Sequence, residues 1–527
     1  MRDARARRAI FAALIVAAAA LVLAYPHPPL VDWPEHLAQD AIAARLRDHT
    51  SGVDRYYRST GWFVPYQGFR WLHIALARVL GLSLGGRVAL LGYLAATPLV
   101  VAALLRRTGR DPWSAIAAFT VLVEANFLWG FAPYALATTL SLAALVLAID
   151  YGRRGGSWRL AALTVSGIAL FFTHPQQTAQ HLVSLGALVV VAWRRKALGP
   201  RRAAALLASG VPAGLLLATF LLSAGWINGT ALSDAFTLHP PTRWRAPHDT
   251  IRLFPFSAGL TVAGRTPWVI YLVALGTLAI GAITQRWLRR AAPVQATPAG
   301  DDTPWTFAAP TLALTWLALA FVLPAEFRGQ TLSPRLASAA LLGLLWLPRL
   351  EPPRTRRERS LAWPVRAVAT VAACASLATS HIAFARFDRT LRPLEDVIAR
   401  VPTGSRVATL VYDTRGTDGW RLPVYLHIGG YVAAARGGMA SAGFTRTGVA
   451  YASSVPREAL LVNQEFLPSL TGWQMDLARY GAYYDYVLVR TGARYRGSPF
   501  VANPSGRWAA TRVMRDGVIE LWRIEGR

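Results

Sequence analysis

Residues 267–285 read PWVIYLVALGTLAIGAITQ, a run of 19 residues without a charged side chain, and Arg286, Arg289 and Arg290 follow it directly. An α-helix of this length rises about 28 Å, close to the ~30 Å thickness of the hydrocarbon core of a bilayer. Uncharged runs of this kind recur along most of the 527-residue chain, of which only 16% is charged. The pattern predicts a polytopic α-helical membrane protein. It excludes a single soluble enzyme, a disordered chain and a fibrous protein.

Eleven runs are apolar enough to predict membrane spans. They are 9–25, 86–105, 113–129, 134–150, 158–173, 178–193, 203–224, 267–285, 306–323, 331–348 and 362–384. A twelfth segment, 69–84, carries Arg70, His73 and Arg78 at near-helical spacing. That spacing favours a short amphipathic helix along the membrane surface over a twelfth span.

The distribution of basic residues predicts the topology. If 69–84 lies on the surface, one side of the membrane receives six segments that together hold 23 of the 56 Arg and Lys residues. These segments are 1–8, 106–111, 152–159, 194–202, 286–304 and 349–360. The short opposite loops 130–133, 174–177 and 324–330 hold one basic residue, Arg328. The positive-inside rule therefore predicts a cytoplasmic N-terminus and an external C-terminus.

The net charge of +28 does not indicate a nucleic-acid partner, because the arginines lie in clusters between apolar segments. Lys196 is the only lysine, and this preference for Arg, with abundant Ala, is typical of a GC-rich bacterial genome. We therefore expect a multi-pass protein of the bacterial plasma (inner) membrane, in contact with membrane lipids. Cys374 is the only cysteine, so no disulfide framework is expected.

The chain divides into two predicted domains. Residues 1–387 form the transmembrane domain, with a long first external loop at 26–68, and residues 388–527 form a small α/β domain in the periplasm or outside the cell. In the latter, 407–412 and 486–490 are apolar enough for buried strands, and Asp516-Gly517 suits the turn of a hairpin over 513–522. Residues 422–435 and 473–484 are expected to be helical. The sequence contains no recognisable phosphate-binding glycine loop, so no nucleotide cofactor is expected.

The first external loop opens with Val31-Asp-Trp-Pro-Glu-His-Leu-Ala-Gln-Asp40. Pro34 suits a first helical turn, which places Asp32 near the cap of a helix that also carries Glu35 and His36. One interpretation is a capped interfacial helix with a solvated charged face. The other is a catalytic site built on Asp32 or Glu35.

Three short motifs resemble those of a known family. Asp32-x-Pro34-x-His36, after the first span, is similar to a signature of poorly characterised bacterial members of the GT-C superfamily of membrane glycosyltransferases. Asn126-Phe-Leu-Trp-Gly-Phe131 and Phe172-Thr-His174-Pro175 resemble further marks of that group. The likeness in layout covers roughly residues 10–385.

The resemblance implies a function on the external face. A sugar would pass from a polyprenyl-phosphate donor to an envelope acceptor, which is a glycan, a lipid or a protein. Asp32 would act as general base, with Glu35 as the competing candidate and His36 as part of the same motif.

Other candidate residues lie at the outer ends of spans. A histidine at position 174 would be costly inside the bilayer, so it is either catalytic or a helix-end residue at the water interface. Gln177 lies in the same polar first turn of the following helix. Arg335 and Arg328 could hold a lipid phosphate, because the guanidinium presents forked donors; the alternative is snorkelling to the interface. His73 lies in the amphipathic segment and is assigned with them to donor binding.

Metal binding and function class each keep alternatives open. His27, His36, His73, Asp32 and Glu35 are ligand types, but their spacing selects no metal set, so a divalent metal stays open. The alternative functions are a transporter or flippase of lipid-linked saccharide and a non-catalytic membrane scaffold acting through 388–527. Few charges within the spans and no visible repeated half count against the transporter.

Overall fold

The computed structural model describes residues 2–59, 64–222, 242–260, 264–291, 305–327, 330–416, 420–441, 449–452, 455–456, 459–460, 467–492, 495, 497–502 and 506–526. Each of the eleven predicted apolar runs overlaps a helix within the described residues. Helices are expected in these runs because the hydrocarbon core of a bilayer offers no hydrogen-bond partners. The backbone N–H and C=O groups must therefore be satisfied within the segment itself.

The chain up to Leu391 is built mainly from helices. They are α1 (Arg2–Leu23), α2 (Trp33–Arg45), α3 (Gln67–Leu80), α4 (Leu82–Arg107), α5 (Ala125–Leu128), α6 (Ala132–Arg154), α7 (Ser157–Thr173), α8 (Pro175–Arg194), α9 (Pro200–Leu222), α10 (Pro247–Pro255), α11 (Thr266–Ala291), α12 (Ala308–Val322), α13 (Ser333–Leu344) and α14 (Arg356–Leu391). Short strands β1 (Tyr57–Ser59), β2 (Thr242–Arg243), β3 (Glu326–Phe327) and β4 (Gln330–Thr331) interrupt them.

Within the described residues, six helices are long and apolar enough to cross a membrane. They are Asp3–Leu23, Leu82–Arg107, Ala132–Arg154, Pro200–Leu222, Thr266–Ala291 and Arg356–Arg400. The apolar helices Pro112–Val121, Ser157–Thr173 and Ala308–Val322 are shorter. The protein is therefore a multi-pass membrane protein, as the sequence predicts, while the count of eleven spans stays a prediction.

The run 113–129 does not form the single α-helix that the sequence predicts. Residues Pro112–Val121 form a buried 3-10 helix, and α5 follows after a break. Asp111 caps the 3-10 helix by accepting a hydrogen bond from the Trp113 N–H at 3.2 Å. At about 2.0 Å per residue, ten residues of 3-10 helix still rise about 20 Å.

The segment 69–84 contains the predicted amphipathic helix. Helix α3 buries Phe69, Arg70 and His73 and exposes 84% of Val79. It ends at Gly81, whose φ of 76° lies in the left-handed region, and α4 begins one residue later. The glycine thus separates a surface helix from the span that follows it.

The C-terminal part contains a mixed five-stranded sheet. After α15 (Pro393–Arg400), its elements are β5 (Arg406–Val411), α16 (Gly429–Arg436), β6 (Met439–Ala440), β7 (Val449–Tyr451), α17 (Leu467–Thr471), α18 (Leu477–Tyr480), β8 (Tyr486–Arg490), β9 (Trp508–Asp516) and β10 (Ile519–Gly526). The strand order is β6-β5-β8-β10-β9, and β5 is parallel to both β6 and β8. The strands predicted at 407–412 and 486–490 are confirmed, as is the Asp516-Gly517 turn.

Two helices predicted in this region are shorter than expected. The segment 422–435 becomes helical only at Gly429, and the Tyr425 N–H donates to the distant Thr414 carbonyl at 3.0 Å instead of to a helical partner. The segment 473–484 is helical only at α18 and a following 3-10 turn, Gly481–Tyr483, because Asp476 caps α18 by accepting from the Ala478 N–H at 2.9 Å.

The chain forms two compact units. One comprises 1–20, 90–127 and 132–381, and the other comprises 21–89, 128–131 and 382–527. In the second unit, β1 of the first loop pairs antiparallel with β7 of the C-terminal part. The first loop therefore packs with the C-terminal part, whereas the sequence grouped it with the spans. The division into domains 1–387 and 388–527 stays a prediction.

The topology leads to a labelling prediction. Thr403 and Thr355 are both exposed, and the basic-residue distribution puts them on opposite sides of the membrane. With Cys374 removed, Thr403→Cys should react with an impermeant thiol reagent in intact cells and Thr355→Cys should react only after permeabilisation. The opposite order of labelling would exclude the predicted orientation.

Candidate active site

Helix α2 carries its carboxylates into the protein and not into solvent. Asp32, at the N-cap, is 8% exposed, Glu35 is 2% exposed and Asp40 is 3% exposed. The interpretation of α2 as a helix with a solvated charged face is therefore wrong. A buried carboxylate is costly unless hydrogen bonds or opposite charges compensate it, so the partners of these groups define the site.

Asp40 is held between two cationic side chains from α3. Its Oδ1 accepts from Arg70 Nε at 2.8 Å, and its Oδ2 lies 2.6 Å from His73 Nδ1. His73 Nε2 lies 2.8 Å from the Leu82 carbonyl oxygen, so both ring nitrogens face acceptors. Burial alone would raise the pKa of Asp40, but the hydrogen bond from His73 and the charge of Arg70 hold it below its usual range.

The same arrangement fixes the protonation of His73. Burial acts to lower its pKa, yet the hydrogen bond and the charge of Asp40 outweigh this and raise the pKa. Trp33 stacks on the ring with centroids 6.1 Å apart. Both ring nitrogens of His73 are thus engaged within the protein, which connects α2, α3 and the beginning of α4, and its assignment to donor binding stays a prediction.

A backbone contact fixes Asp32 at the start of α2. The Val31 N–H donates to the Leu128 carbonyl at 3.0 Å, and the Asp32 N–H donates to the Trp129 carbonyl at 2.9 Å. Gly130 follows with a φ of +78°, and a Cβ there would lie 2.8 Å from the Asp32 nitrogen. The motif at 126–131 therefore matters physically, because only glycine permits this approach.

Asp32 and Glu35 both face His427. His427 Nε2 lies 3.5 Å from Asp32 Oδ1, and Nδ1 lies 3.8 Å from Glu35 Oε1. The three side chains are largely buried, with His427 12% exposed. Sequence reasoning missed this histidine, because nothing in the pattern of residues 422–435 links it to a helix about four hundred residues earlier.

His36 lies on another side of α2. Its ring is tilted against Phe69 with centroids 5.8 Å apart, and it contacts the Gly130 backbone. Burial lowers the pKa of His36 to about 4, so the ring is neutral at neutral pH.

In the other compact unit, the structure brings His174 and Arg335 to one tyrosine. His174 separates α7 from α8 and meets the Tyr134 ring edge-on at 5.1 Å, and the Arg335 guanidinium carbon lies 6.0 Å from the same ring. Arg335 Nη1 donates to Gln176 Oε1 at 3.2 Å. Asn126 Nδ2 and the Tyr134 hydroxyl each donate to the Arg335 carbonyl at 3.0 Å. All are buried or nearly so.

The remaining predicted residues have mixed outcomes. Gln177 is fully buried and donates to Thr138 Oγ1. Arg328 lies outside the described residues. His27 packs edge-on against Tyr431 and lies 3.5 Å from Asp388, away from any metal set. Among the residues that the structure describes, no three His, Cys, Asp or Glu side chains are placed to hold a metal ion.

The fold resembles two solved membrane proteins over the whole chain. The cryo-EM structure of the arabinofuranosyltransferase AftD from mycobacteria superimposes with a TM-score of 0.51 at 15% identity, over 99% of this chain and 40% of the mycobacterial one. The crystal structure of ArnT from Cupriavidus metallidurans superimposes with a TM-score of 0.53 at 13% identity, over 99% of this chain and 98% of that one.

The chain therefore shares its fold with AftD and ArnT. No family model matches the sequence, and no curated protein matches it. The chain spans less than half of the length of the mycobacterial enzyme. At these identities the likeness establishes the fold alone, and function has to be argued from the site.

The buried Asp40 cluster leads to a stability prediction. Asp40→Asn leaves Arg70 and His73 buried without their counter-charge, which should destabilise the protein by about 3–5 kcal/mol. Asp40 stabilises the fold above the ordinary aspartate pKa of about 3.9 and loses this effect as pH falls through its depressed value. The variant should therefore show a weaker acid-side dependence of thermal unfolding in detergent than the parent. Asp54→Asn, at the exposed His49 pair, is the control and should change little.

Proposed function

We propose that the protein is a membrane glycosyltransferase that transfers a sugar from a polyprenyl-phosphate donor to an envelope acceptor on the external face of the bacterial plasma membrane. The observation that carries this proposal is the pair of buried carboxylates, Asp32 and Glu35, at the start of α2 in a chain that shares its fold with AftD and ArnT. Burying two carboxylates at one helix start is costly for a helix that only anchors the chain.

The chemistry follows from the donor. Asp32, as the carboxylate, takes the proton from the acceptor hydroxyl, and the acceptor oxygen attacks the anomeric carbon. The bond between that carbon and the phosphate oxygen breaks, and the lipid phosphate leaves with the electron pair. A phosphate leaving group needs little protonation, so one base suffices and the displacement inverts the anomeric centre. The proton ends on Asp32.

Arg335 is the candidate for holding the donor phosphate. The residue is 9% exposed, and its guanidinium donates to Gln176 and lies over the Tyr134 ring. Its carbonyl accepts from Asn126 and Tyr134. A guanidinium held in place at the outer end of a span suits a phosphate, because forked donors match phosphate oxygens. His174, on the same tyrosine, would adjoin the bound phosphate.

Asp32→Asn tests the base. The change keeps the shape of the side chain and removes its basicity, so turnover should fall about 100-fold or more while protein abundance and donor binding stay near normal. The measurement is sugar release from polyprenyl-phosphate sugars by the purified protein, with Glu35→Gln assayed beside it.

The outcomes of this assay separate the candidate functions. An inactive Glu35→Gln beside an active Asp32→Asn keeps the site and reassigns the base. If both variants release sugar as fast as the parent, neither carboxylate is the general base and the proposed site is wrong. A transporter or scaffold would show no sugar release in any variant.

Arg335→Gln tests the phosphate contact. The KM for the lipid donor should rise about tenfold or more, and that for the acceptor should change little, since a charge-assisted hydrogen bond is worth about 1.5–3 kcal/mol. Arg335→Lys should recover part of the loss, because Lys supplies a point charge without the fork. Unchanged donor dependence in Arg335→Gln would make this residue an interfacial anchor only.

A further inference from the structure

The backbone of the candidate phosphate ligand is held by two side chains from other segments. Arg335 lies in the first turn of α13, and its carbonyl oxygen accepts hydrogen bonds from Asn126 Nδ2 and the Tyr134 hydroxyl, each at 3.0 Å. Asn126 and Tyr134 are each 2% exposed, so bulk water has little access to these bonds. Because the carbonyl carbon is bonded to the Arg335 Cα, the two bonds fix the point from which the arginine side chain extends.

The far end of the same side chain is held by Gln176. Its Oε1 accepts from Arg335 Nη1 at 3.2 Å, and its Nε2 donates to the Leu332 carbonyl at 3.1 Å. The guanidinium carbon also lies 6.0 Å from the centre of the Tyr134 ring. Ordering an arginine side chain costs rotamer freedom, so contacts at both of its ends favour one placement of the guanidinium.

Asn126 is itself held by the carboxylate two residues before it. Glu124 Oε2 accepts from the Asn126 N–H at 2.6 Å, and Oε1 accepts from the Phe127 N–H at 3.0 Å. Glu124 thereby satisfies two N–H groups at the start of α5, which have no partner within the helix. With both oxygens on consecutive N–H groups, the carboxylate fixes the direction in which the Asn126 side chain leaves the backbone.

Asparagine suits this contact because its amide supplies N–H groups at the end of a short side chain. An aspartate of the same shape would place a negative charge against the Arg335 carbonyl oxygen, and an aliphatic side chain would remove one hydrogen bond from it. Asn126 is the first residue of the motif at 126–131. The close approach of Gly130 to Asp32 accounts for the end of that motif and not for its beginning.

We propose that Asn126 is a positioning residue for the donor phosphate. Through the Arg335 carbonyl it fixes the place from which the guanidinium reaches the lipid-linked phosphate, and the Tyr134 hydroxyl shares this role. The inference rests on the proposed glycosyltransferase function, with Arg335 as the phosphate ligand, and adds the residue that orients this ligand.

The test is the KM for the lipid-linked sugar donor in sugar transfer by the full-length protein. Asn126→Leu keeps the branched shape of the side chain and removes the amide N–H. The donor KM should therefore rise about two- to tenfold, which is the effect of losing one neutral hydrogen bond. The KM for the acceptor should change little.

A double variant separates positioning from a general structural effect. In the Arg335→Gln background, Asn126→Leu should raise the donor KM no further, because the guanidinium that Asn126 orients is already absent. A general loosening of the fold would instead add to the effect of Arg335→Gln and would raise the acceptor KM as well.

Thr97 provides the matched control. It is fully buried, lines the same cavity as Asn126, and its Oγ1 lies 2.6 Å from Thr139 Oγ1. Thr97→Val keeps the shape of the side chain, removes a buried hydrogen bond as Asn126→Leu does, and should leave the donor KM unchanged. If Asn126→Leu does not accumulate, Tyr134→Phe takes its place, because it removes only the hydroxyl from the same carbonyl and keeps the ring.

Each outcome decides the inference. An unchanged donor KM in Asn126→Leu, or in Tyr134→Phe where that variant replaces it, overturns the inference while a raised donor KM in Arg335→Gln keeps the proposed phosphate contact. An equal rise in Thr97→Val also overturns it, as does an effect of Asn126→Leu that is as large in the Arg335→Gln background as in the parent. An unchanged donor KM in Arg335→Gln would instead remove the phosphate contact on which the inference rests.

Discussion

The burial of the charges on α2 is the constraint on which the second compact unit depends. An aspartate 3% exposed is tolerated only because Arg70 and His73 neutralise it, and His73 is in turn held by the Leu82 carbonyl. This pairing ties α2 to α3 and to the beginning of α4. Once α2 is fixed in this way, Asp32 and Glu35 at its first turn have defined positions, which a solvated interfacial helix would not give them.

Glycines allow the other contacts of α2 to form. Gly130 brings the 126–131 segment against the Asp32 nitrogen, and Gly430 brings α16 against Pro34. A side chain at either position would overlap backbone atoms, which cannot move as a flexible side chain can. The site is thus assembled from three segments that are separated by roughly one hundred and three hundred residues. Close backbone approach, more than side-chain packing, sets where the carboxylates lie.

The fold is similar to those of AftD and ArnT at only 15% and 13% identity. This is consistent with a fold that depends on apolar helices and a site that depends on individual polar residues. A membrane fold requires apolar helices of sufficient length, and many sequences meet that requirement. Polar sites depend on individual residues, so they are not read from the fold. The candidate catalytic and phosphate-binding residues that the structure describes lie in two places, around α2 in one unit and around Tyr134 in the other.

The sequence by itself determined the membrane class, the helical segments, the amphipathic α3 and the central strands of the C-terminal sheet. Each depends on local periodicity and on hydropathy, which the solvent enforces residue by residue. It also placed Asp32, Glu35, His174 and Arg335 among the candidates. Only the tertiary structure decided that the α2 carboxylates are buried, that His73 is engaged on both nitrogens, that 113–129 is largely a 3-10 helix and that His427 joins the site. These features depend on contacts between segments that are far apart in the chain. Such contacts do not change the local pattern of apolar and polar residues, so a single sequence does not reveal them.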